Sequence, residues 1–468
     1  MPTAPDRGDM VSEPPPEARL PLLERLGLHR RELRSWAMYE WAITGMYAVI
    51  VTAIFPVYYE TVASQGVPTA TAQARFGTAT TIGIVSVAVV APIIGAVTDQ
   101  RRLKKPLLTA FMLVGVTGAA GLYFVQQGDW LLALTMFVLI NVGVNGSTVF
   151  YDALLPHIAA PHEVDRVSTG AFAVGYLGAG LLLAASLVLL EVPELFGLGD
   201  ADATLPPRLS FLAVAAWWLA FSLPLIRGVR EPVPRADPDE TIDVGPLLLS
   251  LRRLRRTFAS LRQYRHAFAL LIAFFVYGDG IGSVIRLSVV YGSGLGIGQG
   301  TLIGAIVMVQ FVGVPFAFAF GWLAGRIGTK RSLLGGLSVY IGVVIFAFWM
   351  TSALQFWILA FFVAMVQGGT QALSRSLYAS MIPAHKSGEF FGFFGVMDKF
   401  AGMMGPGVFA FFVGLTGSGR YGILSILLFF VVGIALLLTV DEREGRRVAA
   451  EETAEATRRS DVAASSES

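Results

Sequence analysis

The sequence predicts an all-α membrane protein in which twelve transmembrane helices form two pseudo-symmetric six-helix bundles. Composition is the first reason: 54% of the 468 residues are hydrophobic and 15% charged, whereas a soluble domain carries about 25% charged residues. Too few charges remain to coat a water-facing surface. The second reason is the number of apolar segments. Crossing the hydrocarbon takes roughly 20 mostly apolar residues in helix, because no water is there to satisfy free backbone groups. Twelve stretches qualify, near 35–59, 76–98, 106–125, 130–151, 168–190, 209–228, 266–290, 300–324, 332–352, 356–379, 389–413 and 421–440. The third reason is repetition. Gly95-Ala-Val-Thr-Asp99-Gln-Arg101-Arg-Leu-Lys104-Lys105 recurs as Gly321-Trp-Leu-Ala-Gly325-Arg-Ile-Gly-Thr-Lys330-Arg331, 226 positions on, and Tyr151–Pro156 recurs as Tyr378–Pro383 at an offset of 227. Two similar halves can rock about a central site and expose it to each side in turn, which is how secondary transporters work.

The segments divide the chain into an N-terminal tail (1–34), a first bundle (35–228), a linker (229–265), a second bundle (266–440) and a C-terminal tail (441–468). Lys and Arg set the orientation. With the N-terminus inside, the cytoplasmic segments hold 29 of the 35 basic residues, and the outer loops hold only Arg75, Arg208 and Arg420. Both termini and the linker are therefore expected in the cytoplasm, and the cell membrane is the expected location. The polar ends, 1–16 and 441–468, are too poor in apolar groups to offset chain entropy and are expected to be disordered. In the linker, Leu247, Leu251, Leu254, Phe258 and Leu261 alternate with arginines at helical spacing. That pattern suits a basic amphipathic helix on an anionic leaflet, or a plain basic linker.

Cysteine is absent, which removes disulfides and thiolate metal sites from consideration. The five histidines (His29, His157, His162, His266, His385) all fall in or beside cytoplasmic segments, so an intramembrane metal cluster or histidine-based nucleophile is not expected. The expected partners are a small-molecule solute, a coupling proton and membrane lipid. No enzyme activity, cofactor, metal or nucleic acid is expected, and the oligomeric state stays open.

Three sets of residues are candidates for work. The repeated loop is the first. Gly95 and Gly321 allow close helix approach, Asp99 can accept from the amides opening the third segment, and Arg101, Lys104 and Lys330 face the cytoplasm. A carboxylate there would lock the halves in one arrangement, and lopsidedly, since Gly325 replaces the acid in the second copy. The alternative is a tight, positively charged turn. Polar stripes are the second set. Asn141, Asn145, Thr148 and Asp152 share one face of the fourth segment, and Gln367, Gln371 and Ser374 share one face of the tenth. These either line a wet cavity or bond a neighbouring helix. Ionisable groups at depth are the third. At ~1.5 Å per residue, Asp279 lies about 20 Å in and Lys399 about 15 Å in, near the midplane. Asp398 and Lys399 point about 100° apart on a helix, so Lys399 is expected to pair with Asp279, as scaffold or as a coupling site. Glu40, also a coupling candidate, Asp152 and Arg375 lie close to the inner interface and are expected to reach out to it. Arg286 is expected at the outer head groups.

Trp36-Ala-Met-Tyr39-Glu40-Trp41, Phe150-Tyr151-Asp152-Ala-Leu-Leu-Pro156, Arg166-Val-Ser168 with Gly175-Tyr176-Leu177-Gly178, and Gly368-Gly369-Thr370-Gln371-Ala-Leu-Ser374-Arg375-Ser376 resemble the vacuole-effluxer branch of the major facilitator superfamily. The repeated loop resembles that superfamily's signature. The resemblance covers nearly all of residues 34–440 and implies a twelve-helix transporter of the major facilitator fold, with amino acids as the leading substrate class. Ile43, Gly278 and Asp398 depart from the family pattern, where Asn, Asn and Gly are usual. A zwitterionic solute would suit Lys399 with Asp279 or Asp398. A solute-binding sensor without net transport is the alternative function.

Overall fold

The computed structural model describes residues 21–100, 102–199, 202–232, 264–401 and 404–466. All regular structure among these residues is helical. The first bundle comprises α1 (Arg31–Ala63), α2 (Thr69–Gln100), α3 (Lys104–Phe124), α4 (Trp130–Ile158), α5 (Val164–Glu191) and α6 (Leu205–Gly228). The second comprises α7 (Arg265–Gly294), α8 (Gln299–Ile327), α9 (Thr329–Trp349), α10 (Ala353–Ser380), α11 and α12 (Gly419–Leu438). Ten of these are long and apolar enough to cross a membrane. α2 and α11 occupy the other two predicted places. The helices overrun the apolar segments by a few residues, because their ends continue into the polar interface.

α11 is broken. Its first half, α11a, spans Ser387–Phe400 and its second, α11b, spans Met404–Thr416. Ala401 between them is extended, and Pro406 sits in the first turn of α11b, where a missing N–H costs little. α1 is also irregular: Tyr47–Ile54 and Tyr59–Ala63 are wound as wider π-helical turns on either side of Pro56, a distortion common where helices serve function.

The bundles are built alike at their junctions. Glu231, just past α6, accepts from the amides of Lys104 and Lys105 at 2.8 and 2.9 Å, and Glu442, just past α12, accepts from the amide of Lys330 at 3.3 Å. Glu231 thus holds the amides of Lys104 and Lys105 that open α3; the side chain of Asp99, the residue the sequence offers for them, lies outside the described residues. Within bundles, small residues bring backbones together: a Cβ on Gly143 of α4 would lie 2.3 Å from the amide nitrogen of Gly115 in α3. Such contacts hold membrane helices where lipid gives no hydrophobic drive. α8 passes to α9 through Gly328 alone, at φ 93°, a conformation open to glycine at no steric cost.

The C-terminal segment corrects an expectation. Instead of lacking structure, Glu442–Ser466 forms helix α13. Its composition is polar, but Ala449 and Ala456 are buried, and Glu452 meets Lys386 at 2.5 Å beside Tyr264 and His385. Packing against the second bundle supplies what composition does not. The proposed linker helix around Leu247–Leu261 and residues 1–16 lie outside the described residues.

Candidate functional site

The bundles are knit together at the end that carries the basic loops, here called the basic end. Arg375 of α10 is the centre of this seam. Its Nη1 donates to Glu40 Oε2 of α1 at 2.9 Å and to Asp152 Oδ1 of α4 at 3.1 Å. Its Nε donates to Ser168 Oγ of α5 at 3.0 Å and its Nη2 to the Ser168 carbonyl at 3.3 Å. Its guanidinium lies 4.9 Å from the ring centre of Trp36, 5.5 Å from Tyr151 and 4.5 Å from Phe172. Arg375, Glu40 and Asp152 are 4, 6 and 7% exposed. The expectation that these three reach out to the interface is thus overturned: opposite charges on three helices at one depth compensate one another inside the protein, and charges so buried persist only when paired.

Around this cluster the seam continues. Ser168 Oγ donates to the Ala372 carbonyl at 2.8 Å, His157 meets Ser387 at 3.0 Å, and Thr329 donates to Asp165 at 2.6 Å, with Ser376 on the other carboxylate oxygen of Asp165. Both glycines of the repeated loop lie in it. A Cβ on Gly95 would come within 2.2 Å of the Gly388 carbonyl opening α11a, and one on Gly321 within 2.2 Å of Thr169 Oγ1 on α5. α2 thus meets α11a as α8 meets α5, by the same device used twice. Toward the membrane centre Tyr176 of α5 packs against Gly368 of α10 and Gly313 of α8 and meets Gln367.

The polar stripes form two matching pairs within the bundles. Tyr47 of α1 donates to Asn145 of α4 at 3.0 Å, and Tyr277 of α7 meets Ser374 of α10 at 2.7 Å. Asn141 is buried, donates to the Phe137 carbonyl of its own helix and packs on Gly83 of α2. Gln367 and Gln371 are half-buried. Asp279 is fully buried and caps the break: its two oxygens accept from the amides of Met404 at 3.0 Å and Gly405 at 2.8 Å, and Ser283 donates to it at 3.3 Å. A carboxylate suits this place, because the free amides and dipole of a helix start attract negative charge. The sequence expectation for Asp279 was a pairing with Lys399; the side chain of Lys399, in the last turn of α11a, lies outside the described residues. Asp398 is half-buried and near enough to Asp152 to repel it. Arg286 is exposed. Lys104 is buried at the start of α3, and Lys330 donates to the carbonyls of Leu438 and Val440 at 3.0 and 2.6 Å, so neither is a free charge on the surface. Arg101 lies outside the described residues.

Sequence reasoning missed the convergence at Arg375, although its signal was present: Trp36 and Glu40, Tyr151 and Asp152, Ser168, and Arg375 come from the four separate blocks that carry the family resemblance.

Comparisons with known proteins agree with this architecture. The chain is 36% identical over 416 residues to an uncharacterized MFS-type transporter, YxiO, of Bacillus subtilis (strain 168), covering 88% of this chain and 95% of that one. It is 24% identical over 424 residues to autophagy-related protein 22 of Saccharomyces cerevisiae (strain YJM789), covering 79% and 77%. The fold is similar to that of the major facilitator superfamily transporter FucP in its outward conformation, with TM-score 0.65 at 15% identity, covering 89% of this chain and 99% of that one. Residues 28–450 match the family described as vacuole effluxer Atg22 like, and the chain belongs to that family, a multi-pass membrane protein of the major facilitator fold.

Proposed function

We propose that the protein is a secondary transporter that carries a small polar solute, with amino acids as the leading class, by alternating access. The basic end is taken as cytoplasmic, the cell membrane as the location, and the structure as the state closed to the cytoplasm. One observation carries this reading: at the basic end the bundles are joined through polar, separable contacts centred on Arg375, Glu40 and Asp152. Ion pairs and hydrogen bonds between rigid bodies can break and reform without unfolding either body, which is what two alternating states require.

In this reading the polar wall of the solute path is made by Tyr47 with Asn145 and by Tyr277 with Ser374 and Gln371. Asp279 is a positioning residue that fixes the break in α11 just after Lys399. The repeated glycines allow closure at the basic end. A carboxylate of the Arg375 cluster is the proposed place for a coupling proton.

Uptake of labelled amino acids into proteoliposomes, with and without an imposed pH gradient, tests the reading. Saturable flux that depends on the gradient is expected for at least one of them. Binding without flux for any would replace the transporter by a solute sensor.

A further inference from the structure

The hydrogen bonds, ion pairs and ring contacts of the Arg375 guanidinium among the described residues all come from the opposite bundle. Glu40 and Trp36 come from α1, Asp152 and Tyr151 from α4, and Ser168 and Phe172 from α5. The first bundle therefore holds a finished cation receptor: two carboxylates, three ring faces and a serine oxygen, preorganised by its own packing. Trp36 stacks on Tyr151 with ring centres 4.4 Å apart and donates to the Tyr151 carbonyl at 3.0 Å. The Tyr151 hydroxyl, buried beside Glu40, lacks a well-formed hydrogen bond.

Arg375 rides on α10 and leaves with the second bundle when the basic end opens. Two carboxylates, Glu40 and Asp152, would then be left together on the first bundle without their shared cation, and like charges held so close draw a counter-charge. A proton can neutralise one carboxylate, and a cation from solution can take the place of the guanidinium between the two. Ring faces favour a weakly hydrated organic cation over a small, strongly hydrated metal ion.

We propose that the vacated cage of Glu40, Asp152, Trp36, Tyr151 and Phe172 binds the cationic group of the solute, a primary ammonium or guanidinium, and that Arg375 is its intramolecular stand-in in the closed state. The site lies roughly 6–14 Å from the basic end by helix rise, which makes it a vestibular station on the cytoplasmic side of the path. This inference rests on the alternating-access reading, since bundles that never part never vacate the cage.

The test is equilibrium binding of radiolabelled methylguanidinium to the purified full-length protein. Arg375→Gln, which empties the cage, should bind it saturably and release it to excess arginine or methylammonium but not to equal sodium. Adding Glu40→Gln and Asp152→Asn should weaken binding by about tenfold or more, as expected for losing charge-assisted contacts. Should Arg375→Gln fail to fold, Gly95→Val, which parts the bundles with Arg375 retained, takes its place with the same two added substitutions. Absence of saturable binding in the folded variant, or equal binding after Glu40 and Asp152 are neutralised, overturns the proposal; so does a site that responds to pH alone, which would make it a proton site. Failure is separable from that of the transport reading: flux without methylguanidinium binding sinks the cage alone, and binding without any flux sinks transport alone.

Discussion

A single nitrogen of Arg375, Nη1, donates to both Glu40 and Asp152, so two carboxylates from different helices of one bundle depend on one cation from the other. Removing that cation leaves buried charge of one sign, a loss of about 3–5 kcal/mol for a broken buried pair. Arg375→Ala should therefore populate the state open at the basic end. Because the chain has no cysteine, a single Ala372→Cys, buried in the closed seam, reports opening by thiol labelling. Labelling should rise sharply in Arg375→Ala and fall back when Glu40→Gln is added; unchanged labelling would show that Arg375 is not the latch.

The two glycine contacts give a steric test of the same closure. A side chain at Gly95 meets backbone, the Gly388 carbonyl, whereas one at Gly321 meets the Thr169 side chain. Overpacking costs about 1–3 kcal/mol. Gly95→Val should shift the equilibrium toward the open basic end by about 5- to 150-fold. Gly321→Ala should do less, and Thr169→Ala should relieve it. Equal labelling across all of them would place the seam elsewhere.

At the break in α11, Asp279 acts through backbone amides. Asp279→Ala should lower stability by about 0.5–2 kcal/mol, the usual cost of a lost helix cap, and Asp279→Asn by less, since its amide oxygen still accepts. Thermal unfolding in detergent measures both. A loss for Asn as large as that for Ala would mean that the negative charge, not the acceptor oxygen, is what the site needs.

The start of α13 gives a pH dependence outside the membrane. Hydrogen bonds from the amides of Glu444 and Arg443, with smaller help from His266 and Lys330, hold the Asp441 carboxyl below its ordinary value of 3.8. The folded value is depressed, so the cap's contribution is present above the ordinary aspartate range and is lost as pH falls through the lowered value. The protection factors of the Arg443 and Glu444 amides, taken against free amides at the same pH, should be raised at neutral pH, fall in strong acid, and be low at every pH in Asp441→Ala.

The sequence by itself determined the helical class, the places of the twelve apolar segments and the twofold repetition, because crossing hydrocarbon takes long apolar runs whose backbone groups are satisfied in helix. The repeat also pointed to Gly95 and Gly321 as places of close approach. It did not reveal that each meets the opposite bundle. Only tertiary structure decided where charges pair, since Glu40, Asp152 and Arg375 stand in separate segments and their partners depend on how helices rotate and pack. The break at α11 and its cap by Asp279 were equally hidden, for the same reason: a continuous apolar run does not record which remote carboxylate will take its free amides. α13 shows the converse. Its polar composition argued against order, and contacts with Tyr264, His385 and Lys386 supply it, because a weak helix becomes stable once a folded surface holds it.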